Sequence, residues 1–181
     1  MEHEIKHIFL TGEKQVGKST VLGNVLDALQ ERGYRVGGFQ TLPFFIDGNR
    51  RGFYLHSLGD TPEGMNDIPV AVCFHSKKGP SGIGITEAFN RFGAGMLKDA
   101  LDNADILWMD ELGRLEGDAY EFNKTVVECL DRAPHVIGVL QKVKRAFLQE
   151  IALREDVMVI EVTTDNRNEM ANMVLDALGA M

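Results

Sequence analysis

Hydrophobic and polar positions change period several times along the chain. Residues 5–11, "IKHIFLT", form an apolar run with the length of a strand. From Lys18 onward Val21, Leu22, Val25, Leu26 and Leu29 recur three and four apart, which predicts a helix that Gly33 stops. "YRVGGFQTLPFFIDGNRRGFYLHSL" is rich in aromatic residues and has Asp47-Gly48 at its middle, the signature of a hairpin. Residues 59–68 read as loop, "PVAVCF" as a strand and "SKKGPSGIGI" as a Gly-containing loop. Phe89, Phe92, Met96, Leu97 and Leu101 mark a second helix with Thr86 as its cap, against which Gly93 and Gly95 count.

The second half alternates cleanly. "DILWMD" predicts a strand, 118–131 a helix ended by Pro134, and "HVIGVL" a strand. Residues 144–154 predict a helix, "VMVIEV" a strand and 167–178 a last helix. Apolar strands alternating with helices imply a mainly parallel sheet covered on both faces, an α/β fold with an added β-hairpin. Ligands of such sheets sit beyond the carboxyl ends of the strands. Chemistry is therefore expected just after Thr11, Met109, Leu140 and Val162.

The first of these places carries Gly12-Glu13-Lys14-Gln15-Val16-Gly17-Lys18-Ser19, followed by Thr20, which fits G-x-x-x-x-G-K-[ST]. At average composition the pattern arises by chance in roughly 1% of chains this long. A triphosphate needs inward-turned backbone N–H groups and a helix that begins beside it. Gly12 and Gly17 permit the turn, Lys18 supplies a charge for the β- and γ-phosphates, and Ser19 an oxygen for Mg²⁺. Glu13, Lys14 and Gln15 stand where small residues are usual. Because backbone groups do the gripping, their identity leaves binding intact. A positive φ at Gln15 costs about 1–3 kcal/mol. Lys14 either points away or reaches the γ-phosphate.

After "ILWM", Asp110 and Glu111 end an apolar strand. An Asp there holds Mg²⁺, and an adjacent Glu orients and deprotonates the attacking water. Glu116 is a third carboxylate, equally a helix-start acid.

The 181 residues, 44% hydrophobic and 25% charged, suit one domain over residues 1–181. There is no linker-like tract or internal repeat, and no apolar run approaches the ~20 residues of a membrane span. "MEHEIKH" does not read as a signal peptide. Cys73 and Cys129 lack metal-site spacing and read as buried free thiols of a cytoplasmic protein. A net charge of −8 argues against nucleic acid as the main partner. The basic pairs Arg50-Arg51 and Lys77-Lys78 read as solvated surface. The five histidines, His3 and His7 among them, suggest no metal site.

The sequence resembles the nucleoside-triphosphatase family of small P-loop proteins, known from thermophiles and from a cancer-related human member. The likeness rests on the N-terminal loop, on "VGGFQT…GNRRGF", which is similar to G-F-x-T…G-x-R-x-G-F, on "MDELGRLE", similar to D-E-I-G-x-M-E, and on "TTDNR", similar to T-x-x-N-R. It implies a RecA-like fold and Mg²⁺-dependent hydrolysis of nucleoside triphosphates with loose base choice. It places Lys18 and Ser19 on phosphate and metal, Asp110 on metal and Glu111 on water. The chain has Lys14-Gln15 where the family usually has Pro-Gly, and "LPFF" after Thr41 where an acidic, Arg-containing run is usual.

Further candidates are Gln141 as a γ-phosphate sensor or a plain strand-end residue, and Arg167 along a base or on a helix start. Arg114 either neutralises transition-state charge or pairs with Glu116. Lys77 or Lys78 reaches the phosphates only if its loop moves. Two other readings stay open: a P-loop small-molecule kinase, and a nucleotide-binding switch or accessory protein with little turnover. The sequence leaves the oligomeric state open.

Overall fold

The computed structural model describes residues 4–59, 66–77 and 79–179. His3 and Lys78 lie outside them. One eight-stranded sheet organises the chain. Strand β1 is His7–Thr11, β2 Val36–Ile46, β3 Asn49–Leu58, β4 Asp67–Ser76, β5 Gly79–Gly84, β6 Ile106–Leu112, β7 Val136–Leu140 and β8 Val157–Glu161. Their order is β5-β4-β3-β2-β6-β7-β1-β8. Strands β2, β6, β7, β1 and β8 run parallel, and β3, β4 and β5 add an antiparallel meander at the β2 edge. Numbered among themselves the parallel strands read 5-1-4-3-2, the RecA-like order. The expected hairpin is thus half of a larger meander.

Strand alternation explains the layers. Ile8, Leu10, Ile106, Trp108, Ile137 and Val139 face one side, where helix α1 (Lys18–Glu31) and helix α6 (Met170–Gly179) pack. Phe9, Leu107, Met109, Val136 and Leu140 face the other, against α3 (Ala94–Asn103), α4 (Tyr120–Arg132) and α5 (Ala146–Ala152). Both faces bury apolar side chains, which is why these strands read as unbroken apolar runs.

Several expectations change. "SKKGPSGIGI" is not a plain loop: 79–84 pair with β4 as an edge strand. Thr86 does not cap its helix but opens α2 (Thr86–Ala88), whose capping position is Ile85. A π-helical turn, Phe89–Gly93, then joins α2 to α3. Gly93 is required there, because a Cβ would stand 2.9 Å from the Phe122 ring. Strand β6 runs through Asp110 and Glu111 to Leu112 rather than ending at the acids. Its register on β7 shifts between Met109 and Leu112, so an extra residue is accommodated where the acids stand, a device that re-aims side chains. No helix among the described residues is long and apolar enough to cross a membrane.

Candidate functional site

The loop between β1 and α1 turns through left-handed backbone at Gly12 (φ 142°), Gln15 (φ 61°) and Gly17 (φ 114°). Gly12 is also the point of closest approach: a Cβ there would stand 2.5 Å from the Val162 carbonyl oxygen and 3.3 Å from Val16. Gln15, with no such excuse, bears the strain that its position implies. Lys18 Nζ donates to the Gly12 and Glu13 carbonyls at 2.8 and 2.7 Å, which holds its ammonium across the loop. Ser19 and Thr20 expose their hydroxyls in the first helical turn. Lys14 is exposed, with no hydrogen-bond or ion-pair partner among the described residues. Glu13 is exposed but ion-paired. Lys142 bonds it at 3.0 Å and Glu161 at 2.9 Å, tying the loop to β8 through exposed pairs worth little each.

The two acids of β6 are handled differently. Asp110 is half-buried, and its carboxylate makes no hydrogen bond or ion pair among the described residues. Loss of hydration pushes its carboxyl up to about 7, neighbouring Glu111 adds to this, and Lys18 pulls it back. Glu111 is oriented. Its Oε1 accepts a hydrogen bond from Gln141 Nε2, and its N–H reaches Thr41 Oγ1 at 3.4 Å. Gln141 Oε1 in turn accepts the Arg114 N–H at 3.2 Å. Both ends of this amide are used, so its orientation is fixed: turned over, it would set oxygen against carboxylate.

Glu116 proves to be neither a metal-facing acid nor a helix-start acid, since α4 begins at Tyr120. It is buried in the turn after β6, where it accepts the Gly113 N–H. Burial pushes its carboxyl up to about 7, and Arg145 opposes the shift. Arg145, not Arg114, is therefore the cation beside it. It also donates to the Gly113 and Arg114 carbonyls at 3.4 and 2.9 Å.

"TTDNR" explains itself as a turn. Asn166 Oδ1 accepts the Thr163 N–H at 2.8 Å, and Asn166 Nδ2 donates to the Glu161 carbonyl at 2.9 Å. The turn brings Arg167 beside Gly17, with Cδ 3.4 Å from where a Cβ on that glycine would stand. Arg167 precedes α6 and is exposed.

A cavity of about 750 Å³ joins these parts. The phosphate loop, Glu111, Arg114 and Gln141 line it, and so do Thr41, Arg50, Phe53, Cys73 and Gly82 of the meander. Arg50 is thus not mere solvated surface, and Cys73 is half-buried in the wall while Cys129 is buried. Sequence reasoning missed Thr41, Lys142 and Arg145 as well as this wall. Only Thr41 left a signal, as the threonine of the hairpin motif.

A family model described as NTPase matches residues 7–175. A protein of Methanothermobacter thermautotrophicus named nucleoside-triphosphatase THEP1 is 30% identical, over 95% of each chain. One of the same name from Thermotoga sp. (strain RQ2) is 29% identical over 94% of each. A solution structure of a human cancer-related nucleoside triphosphatase superposes with a TM-score of 0.76 at 25% identity, over 97% of this chain and 98% of that one.

Proposed function

The chain belongs to the nucleoside-triphosphatase (NTPase) family, and from that premise we propose that it hydrolyses nucleoside 5′-triphosphates to diphosphate and phosphate with Mg²⁺. The observation that carries the reading is one cavity lined both by a phosphate loop with Lys18 and by Glu111 aimed by Gln141. Residues 1–181 are read as one such domain. Free thiols at Cys73 and Cys129 support a reducing compartment, the cytoplasm.

In this mechanism backbone N–H groups of residues 12–20 hold the phosphates, and Lys18 exchanges its two carbonyl contacts for β- and γ-oxygens. Glu111 takes a proton from water as the water oxygen bonds the γ-phosphorus. The bridging P–O bond breaks, and the diphosphate leaves with its electron pair. Gln141 keeps Glu111 turned toward that water.

The residues present fit Mg²⁺. Asp110 is a desolvated carboxylate without a protein donor, Lys18 lies nearby, and the Ser19 hydroxyl is free in the first helical turn. The Asp110 carboxylate and the Ser19 hydroxyl are hard oxygen donors, as Mg²⁺ requires. Ser19 and Asp110 would hold it, and bound there it offsets phosphate charge. Loose base choice accords with the exposure of Arg167, if this residue is the one that lies along the base.

The test is phosphate release from ATP, GTP, CTP and UTP, each with and without Mg²⁺. Lys18→Ala should lower triphosphate affinity more than monophosphate affinity. Equal loss for both, or no Mg²⁺-dependent release from any triphosphate, would overturn the reading.

A further inference from the structure

The cavity reaches beyond the phosphate loop and Glu111 to residues that hydrolysis does not use. Water is the only acceptor of a triphosphatase, and the base side is open, with exposed Arg167 not among the cavity walls. The cavity instead extends from Glu111 across the meander. Thr41 on β2, Arg50 and Phe53 on β3, Cys73 on β4 and Gly82 on β5 contribute to it in turn. On that side the far edge of the meander meets the turn after β6. Gly84 lies so close to the turn after β6 that a Cβ would stand 1.8 Å from the Leu115 carbonyl oxygen, and Leu115 Cδ2 is 3.7 Å from the same point on Gly82.

The far compartment has a defined chemistry. Arg50 and Arg114 both line it, and neither guanidinium has an ion-pair partner among the described residues. Arg50 sits 5.3 Å from the centre of the Phe53 ring, which offers an apolar surface beside a cation. In the order of the sheet, Glu111 on β6 and Gln141 after β7 fall between the meander strands and the phosphate loop that follows β1. The total volume is that of a pocket for drug-sized ligands, about 300–1,000 Å³.

We infer that this compartment binds a second substrate, a small hydroxyl-bearing anion with an apolar body, and that its hydroxyl replaces water as the acceptor of the γ-phosphoryl group. The inference rests on the reading of the phosphate loop given above. The acceptor oxygen forms the new bond to the γ-phosphorus, the bridging P–O bond breaks, and Glu111 takes the hydroxyl proton. The products are the nucleoside diphosphate and a phosphate monoester. Arg50 and Arg114 take the acceptor's carboxylate or phosphate through charge-assisted hydrogen bonds. Hydrolysis is the same reaction with the compartment holding water alone.

Cys73 reports on the compartment, with buried Cys129 as an internal control. Pantothenate and 3-phenyllactate, which carry a hydroxyl, a carboxylate and an apolar body, serve as probes, with glycerate as a control that lacks the apolar body. Alkylation of Cys73 by iodoacetamide, followed by mass spectrometry without nucleotide, reads binding. ADP and free phosphate measured together with Mg²⁺ and ATP read transfer. At least one probe should protect Cys73 and make ADP exceed phosphate, the difference appearing on the probe's hydroxyl. Arg50→Ala should weaken protection about tenfold or more, the loss of one charge-assisted contact, and Arg50→Lys should recover part of it. Equal ADP and phosphate with every probe would overturn transfer, whether or not a probe protects Cys73. Undiminished protection in Arg50→Ala would overturn the assigned wall. Phosphate release without probe reports separately on hydrolysis, so failure of one reading is not mistaken for failure of the other.

Discussion

Replacing Glu111 by Gln removes the base and keeps its shape. The structure says what else it changes. Gln141 Nε2 donates to Glu111 Oε1, a contact that becomes neutral in the variant. A hydrogen bond to a charged group contributes about 1.5–3 kcal/mol and a neutral one about 0.5–1.5, so the loss is about 1 kcal/mol. Relief of the repulsion that Glu111 exerts on Asp110 acts in the opposite sense. Stability should therefore move by less than about 1 kcal/mol, or under ~4 °C in Tm for a chain this size. Turnover should fall by roughly 10²–10⁴-fold, about 2.7–5.5 kcal/mol of barrier. Gln141→Ala separates aim from chemistry. It strips the donor from Glu111 and the acceptor from the Arg114 N–H, and should slow turnover about tenfold, ~1.4 kcal/mol. If Gln141 acts only by orienting the carboxylate, the same change made in Glu111→Gln should cost almost nothing. The coupling energy then equals the whole single-mutant effect. Phosphate release under single-turnover conditions gives the rates, and a fluorescent triphosphate analogue checks that affinity persists. Glu111→Gln turning over as fast as the parent would refute the base. An equal penalty for Gln141→Ala in both backgrounds would refute its role as an aiming residue.

Gly12→Ala should abolish triphosphate binding in calorimetry and lower the Tm, because its Cβ meets the Val162 carbonyl at 2.5 Å and φ 142° strains the new residue by about 1–3 kcal/mol. Ser19→Ala and Asp110→Ala should each raise the Mg²⁺ concentration needed for half-maximal phosphate release; an unchanged Mg²⁺ curve for both would remove them as ligands. Glu116 gives a pH signature. Its folded pKa of about 7 lies above the unfolded 4.5, so its contribution is fully present below pH 4.5 and is lost as pH rises through 7, up to about 3 kcal/mol. Glu116→Gln should flatten that slope in urea titrations and gain stability relative to the parent at pH 8; identical pH profiles would refute it.

How much of this was legible depended on the range of the interaction. The phosphate loop is a local device, made by glycines, a lysine and a helix start within one short segment, so its place could be read residue by residue. Gln15 illustrates the point, since a left-handed position within a loop follows from the loop's own geometry. The parallel strands were legible because both of their faces are buried. Strand β5 was not, because a six-residue edge strand built on Gly79, Gly82 and Gly84 carries no alternation and a single β-branched residue, Ile83. Its partner β4 and the Leu115 turn hold it, and neither is visible from within the segment.

The same division runs through the site. By itself the sequence determined the layered α/β order, the glycine- and lysine-bearing loop before the first helix, the two acids on an apolar strand, and the family to which they belong. These follow from short-range chemistry: backbone donors, helix starts and hydrophobic period. Only the tertiary structure decided that Gln141 hydrogen-bonds Glu111, that Glu116 is buried against Gly113 beside Arg145, and that Arg50, Phe53 and Cys73 share a cavity with Lys18. Each of these joins residues from separate strands and turns. Their partnership exists only once the sheet has set β7 beside β6 and brought the far edge of the meander to the turn after β6, a long-range arrangement that no local pattern encodes.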